Sequence, residues 1–210
     1  SQVVNFSCTI GLWYFDPSGT LIWNVTAYVE DNSGASVQNR STNFTYQSTK
    51  AFKIHPVAFT FASISPGDIN KTSNNDPLVI NNTGNYAFDT TTQNLSINAT
   101  DLSGEANGAY KLYAQNFTAG NTTGGTSPNF IECGVGNSSG GSPSNSLYLN
   151  KSITRNISSV KVPYGNLSAG SGTAQGNIYV CLTLAGSELT SQAYSTNGPN
   201  SNGAWTIASL

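Results

Sequence analysis

VVNFSCTIGLWYF, residues 3–15, is the stretch from which the fold is read. Its even positions are Val4, Phe6, Cys8, Ile10, Leu12 and Tyr14, and its odd positions up to 11 are Val3, Asn5, Ser7, Thr9 and Gly11. Side chains of a β-strand point alternately to its two faces, so from residue 4 onward this stretch is a strand with one apolar and one polar face. Trp13 and Phe15 end the alternation and make both faces apolar. Asn5 opens an Asn-x-Ser/Thr sequon on the polar face, where a glycan would meet water.

Two placements are open for such a strand. In the first it pairs within its own chain, turned by Asp16-Pro17-Ser18-Gly19 into a hairpin with residues 20–30. In the second it leaves its domain and completes the sheet of a neighbouring copy by strand addition. The chain then divides into a donor strand (1–15), a hinge (16–19) and a single β-sandwich body (20–210). Burying the six apolar pegs yields on the order of 10 kcal/mol at roughly 1.5–3 kcal/mol per large side chain. Association costs about 4–15 kcal/mol, so a durable link also needs slow dissociation. Strand exchange from copy to copy is a heterologous contact, and one whose rotation does not close a ring builds a filament.

The rest of the chain continues the β reading. Segments 20–30, 37–47, 52–64, 78–81, 94–100, 109–118, 129–135, 146–150, 158–163, 177–185 and 204–210 are rich in Val, Ile, Thr, Tyr and Phe. Turn chemistry separates them, as at Asn32-Ser33-Gly34, Ser65-Pro66-Gly67-Asp68, Asn107-Gly108 and Asn197-Gly198-Pro199. No sustained helical period is present. Many short strands with frequent turns read as an all-β sandwich. Stretches 119–128, 136–146 and 165–176, rich in Gly, Ser and Thr, read as surface loops.

Fourteen asparagines open sequons: Asn5, Asn24, Asn39, Asn43, Asn70, Asn81, Asn94, Asn98, Asn116, Asn121, Asn137, Asn150, Asn156 and Asn166. With 26 Asn and 51 Ser plus Thr, chance supplies about six, so the excess points to a secreted glycoprotein carrying covalent N-glycans and no other cofactor. The charged fraction of 9% is far below the usual quarter, and glycans would supply the solubility that ions do not. A fold with only ten carboxylates has little to lose when they protonate, which suits an acidic exterior. The eight Lys and Arg form no basic stripe, which argues against a nucleic-acid partner. No apolar run is long enough to span a bilayer. The absence of Met leads us to expect a processed N-terminus.

Of the three cysteines, Cys133 and Cys181 both lie in strong strand segments and are the expected disulfide, leaving Cys8 buried or available to another subunit. Catalytic and metal chemistry is weakly represented, and no enzyme activity is expected. The single histidine, His55, has no G-x-S-x-G turn to serve. Glu30 and Asp31 are adjacent and face opposite sides of a strand. Asp101 and Glu105 flank a Ser-Gly turn and make a weak calcium candidate. Trp13, Trp23 and Trp205 are candidates for a sugar platform but fit a core better. Lys50, Lys53 and Lys161 lack the acidic neighbour that an isopeptide bond with Asn requires.

The alternating N-terminal strand, the Asn/Ser/Thr/Gly-rich β body and the dense sequons resemble the thread filament subunits of thermoacidophilic archaea such as Sulfolobus. The resemblance is one of whole-chain character and rests on no short motif. It implies an Ig-like or pilin-like β-sandwich and a donor strand running from Val4 to Tyr14. It further implies an extracellular, cell-surface homopolymer joined head to tail, with roles in adhesion to surface glycans or neighbouring cells. The alternatives are a monomeric carbohydrate-binding or adhesin domain with the first strand in its own sheet, and a cell-envelope lattice protein.

Overall fold

The computed structural model describes residues 5–18, 22–61, 63–75, 77–89, 94–121, 146–157, 159–169 and 173–210. These residues form an all-β structure. The strands are β1 (Ile22–Glu30), β2 (Ser36–Thr45), β3 (Phe52–His55), β4 (Ile69–Thr72), β5 (Leu78–Asn82), β6 (Leu95–Asn98), β7 (Leu102–Gly104) and β8 (Lys111–Leu112). They continue with β9 (Phe117–Gly120), β10 (Ser146–Tyr148), β11 (Thr154–Asn156), β12 (Gln175–Leu184), β13 (Tyr194–Ser195) and β14 (Thr206–Ser209).

The ten-residue β12 organises the body. Its first half pairs with β5, from Gln175↔Asn81 to Ile178↔Leu78. Its second half pairs with β9 through Tyr179↔Gly120 to Leu182↔Phe117, and with β4 through Cys181↔Thr72 to Leu184↔Ile69. The resulting sheet runs β10-β9-β12-β5-β3, with β4 off that path. Two three-stranded sheets, β11-β6-β14 and β13-β7-β8, and a separate two-stranded sheet, β1-β2, complete the described body. Between the sheets sits one core that includes Ile80, Phe88, Leu95, Ile97, Phe117, Leu149, Val162, Ile178, Val180 and Leu182. The alternation of Leu78, Ile80 and Asn82 inward along β5 is the sequence period made physical. The arrangement is sandwich-like.

Two buried asparagines replace ladder bonds where the chain is irregular. Asn82 donates to the carbonyls of Tyr86 (2.6 Å) and Pro163 (3.2 Å) and accepts from Gly84 N–H (2.9 Å). Asn85 accepts from Thr49 N–H (2.7 Å) and donates to the Gln47 carbonyl (3.1 Å), fixing the segment after β2 to the body. Gly84 permits this contact, since a Cβ there would lie 2.1 Å from the Thr49 carbonyl oxygen.

Several strand expectations need correction. Segment 52–64 is a strand only to His55, where a cis His55–Pro56 peptide follows and proline has no N–H for a ladder. Segment 109–118 divides into β8, a single 3₁₀ turn and the start of β9. Among the described residues of segment 158–163 only Val162 makes a bridge, to Phe88. Segment 129–135 lies outside the described residues. Among the described residues the N-terminal stretch makes no hairpin with residues 20–30; β1 pairs with β2, from Ile22↔Thr45 to Glu30↔Ser36. The described part of the N-terminal arm, 5–13, is in no sheet.

Acid sensitivity follows from two loops. Asp31 Oδ1 accepts from Ser33 Oγ (2.7 Å), Ala35 N–H (2.9 Å) and Ser33 N–H (2.9 Å), and these bonds hold its carboxyl below the usual range. Asp68 is lowered by Ser65 N–H (2.9 Å) and then by Lys71 at 3.5 Å. A depressed native pKa means support that is present above the unfolded value of 3.8 and is lost as pH falls through the native value. Asp68→Asn is therefore expected to lower the melting temperature at pH 7 and to match the parent at about pH 2. Thermal unfolding by circular dichroism across pH checks this, and a gap that persists in acid contradicts it.

Candidate assembly site

The site has two halves, an arm and a groove. On the arm the apolar pegs face outward: Phe6 is 82% exposed, Ile10 58%, and Leu12 and Tyr14 each 39%. Cys8 is exposed with a free thiol, so of its two readings the buried one is corrected. Val4 lies outside the described residues. The root of the arm is ordered by a turn in which Asp16 N–H donates to the Trp13 carbonyl (3.0 Å) and Trp13 N–H donates to Asp16 Oδ2 (2.7 Å). Trp13 and Phe15 stack at 6.0 Å, and Tyr14 meets Phe15 edge-on at 5.1 Å. Tyr46 Oη donates to the Trp13 carbonyl (3.2 Å), and Trp23 Nε1 donates to the Pro17 carbonyl (3.0 Å). The turn thus starts at Trp13, three residues before the expected hinge at 16–19, of which Gly19 lies outside the described residues.

The groove, of about 780 Å³, opens in the body. β3 ends one sheet and β14 ends another, and Ile54 and Ile207 from these two edge strands line it. Its apolar floor and walls include Phe59, Phe61, Leu102, Phe117, Leu189 and Trp205. Phe117 meets Trp205 edge-on at 5.2 Å, with Phe59 6.3 Å from Trp205 and Phe61 5.7 Å from Phe117. Gln192, Ser195, Thr196 and Asn197 supply polar groups to the lining. No charged residue and no sequon asparagine is among the described lining residues. Such a cleft can take an uncharged apolar segment.

The sequons sort by exposure. Asn5, Asn24, Asn39, Asn43, Asn70, Asn121 and Asn156 are exposed, while Asn81, Asn98, Asn116, Asn150 and Asn166 are half-buried. Asn24 and Asn43 lie directly opposite each other on β1 and β2, so two glycans would leave one face of that hairpin. Asn137 lies outside the described residues. Asn94 is 1% exposed, and its Oδ1 has no partner. A glycan cannot leave a buried amide without unseating β6, so peptide mass spectrometry is expected to find Asn94 unmodified while Asn24 and Asn43 carry sugar.

The remaining candidates separate. Cys181 is buried in β12, and its expected partner Cys133 lies outside the described residues. His55 is exposed. Asp101 is 4% exposed, accepts from Ala114 N–H (3.0 Å) and pairs with Lys151 at 3.0 Å, while Glu105 is exposed; the two carboxylates do not form a cation site. Among the described residues no three His, Cys, Asp or Glu cluster in a way that would hold a metal. Lys50 Nζ donates to the Leu210 carbonyl (2.8 Å) and sits over the Tyr86 ring at 4.7 Å, and Lys161 Nζ donates to the Asp89 carbonyl. Trp205 belongs to the groove and Trp23 to the arm root, so the three tryptophans do not make one platform. Among the described residues no helix is long and apolar enough to cross a membrane.

The groove residues were not visible as a site in the sequence; Phe59 and Phe61 were read only as strand, and Trp205 only as a core or platform candidate. No protein-family model matches the chain, and no curated protein or solved structure is found to be similar to it.

Proposed function

We propose that this chain is the structural subunit of an extracellular, heavily N-glycosylated filament, polymerised head to tail by strand donation. The observation that carries the reading is one molecule holding two unsatisfied halves. The arm has an alternating apolar face with Phe6 82% exposed, and the body has an uncharged apolar groove between the edge strands β3 and β14. Among the described residues the arm has a strand's alternation but lies in no sheet, and no strand covers the outer edges of β3 and β14. Phe6, Cys8, Ile10, Leu12 and Tyr14, with Val4, act as pegs spaced about 7 Å apart along the donor strand. The body in this reading is an Ig-like or pilin-like sandwich one strand short. The absence of a sequon from the groove lining suits a surface that must stay bare. The sequon-rich exterior and the whole-chain character support a thread-like surface filament serving adhesion or cell–cell contact.

Electron microscopy of the purified chain tests this. Filaments should form, and an excess of a synthetic peptide of residues 1–16 should shorten them by occupying free grooves. Particles that remain monomeric at high concentration, with no binding of the peptide, overturn the proposal.

A further inference from the structure

The groove has one wall whose backbone is half paired, and two of the three bonds that pair it are made by a side chain. Burial alternates along residues 58–61: Ala58 and Thr60 are exposed, while Phe59 and Phe61 turn inward onto Trp205 and Phe117. Ala58 stands at a bend and 59–61 belong to no strand, but the two-residue alternation is that of an extended chain. In an extended chain the N–H and C=O of one residue point to one edge and those of the next residue to the other. Thr60 N–H donates to Asn75 Oδ1 (3.0 Å), and the Thr60 carbonyl accepts from Asn74 N–H (2.7 Å). Asn75 Nδ2 donates to the Ala58 carbonyl (2.5 Å). The carboxamide of Asn75 thus takes the place of a neighbouring strand's peptide group on one edge.

The opposite edge carries the N–H and C=O groups of Phe59 and Phe61, which make no hydrogen bond to the described residues. Ala58 through Phe61 line the groove, and neither Asn74 nor Asn75 does, so the open edge is the one on the groove side. Backbone groups left unpaired beside an apolar cleft call for a ladder partner, since covering them without one costs the desolvation of each group.

We propose that Asn75 is a positioning residue for assembly: it holds 58–61 extended so that the free edge of Phe59 and Phe61 forms the ladder with the arm of a second copy. This rests on the strand-donation reading and names the edge that receives the strand. The arm is the fitting occupant because its apolar pegs can enter the uncharged groove while its own backbone supplies alternate donors and acceptors. A small apolar molecule would fill the volume and leave the Phe59 and Phe61 amides unpaired.

Amide hydrogen exchange on the full chain, with and without excess peptide of residues 1–16, tests the proposal. The Phe59 and Phe61 amides should exchange at least tenfold more slowly once the peptide is bound. Asn75→Ala should weaken peptide binding about tenfold, and Asn75→Asp, which keeps the acceptor for Thr60 and loses the donor to Ala58, should fall between Ala and the parent. Peptide binding with unchanged exchange at Phe59 and Phe61 overturns this inference and leaves strand donation standing. Binding that is indifferent to both Asn75 variants overturns the positioning role. Absence of any peptide binding removes strand donation and this inference together.

Discussion

Removal of residues 1–15 is expected to abolish filaments while leaving the melting temperature of the body within about 2–4 °C of the parent, equivalent to about 1 kcal/mol for a domain of this size. The body keeps its fold because the described part of the arm contributes no ladder bond, and its pegs Phe6 and Ile10 are mostly exposed. The hydrogen bond from Tyr46 to Trp13 is lost with it, an exposed contact whose net contribution is about 0.5–1.5 kcal/mol. Polymerisation is lost because the donor is gone while the acceptor remains. The truncated chain should therefore cap filaments formed by the full chain, and sedimentation of mixed samples will show shorter species as its share rises. A truncated chain that still forms filaments, or one that unfolds, contradicts the assignment of the arm to a neighbouring copy.

Trp205→Ala is expected to have the largest effect within the body. The ring packs against Phe117 and Phe59, and its Nε1 donates to the Thr100 carbonyl at 2.8 Å. Truncation removes the indole from the groove and leaves a buried carbonyl short of a partner. Large aromatic-to-alanine changes in cores cost about 3–5 kcal/mol; for a partly buried ring the lower end applies, about 3 kcal/mol, or about 10 °C in melting temperature. Below that temperature, the peptide of residues 1–16 should bind at least tenfold more weakly because the floor of its groove is missing. Unchanged stability together with unchanged peptide affinity would remove Trp205 from both roles.

The legible part of the fold was local. The period-two pattern at Leu78 and Ile80 and the apolar run of β12 announced strands because a sheet with a covered face imposes that pattern. The same pattern at 4–14 predicted a strand, but residues 5–13 form none, because a strand exists only with a partner and pairing depends on what another segment offers. The groove was hidden for a related reason. Ile54, Phe59, Leu102, Phe117, Trp205 and Ile207 are distant along the chain and converge only through the sheet order. Pro56 was the visible clue that 52–64 could not be one strand, and it was the residue whose missing N–H ended β3. Asn94 shows the limit of a motif: its triplet satisfies the glycosylation rule, yet packing places the amide in the interior. The role of Asn75 had no sequence signal, since a side chain imitating a backbone is recognised only from its two contacts with Ala58 and Thr60.

The uncharged lining of the groove has a consequence for how the polymer would endure its surroundings. In the proposed assembly, fit there would be decided by volume and by main-chain pairing, neither of which responds to dissolved ions as a charged contact does. A thread joined through such sockets would hold its length in brine and fresh water alike, and would come apart only where solvent can compete for greasy surface itself.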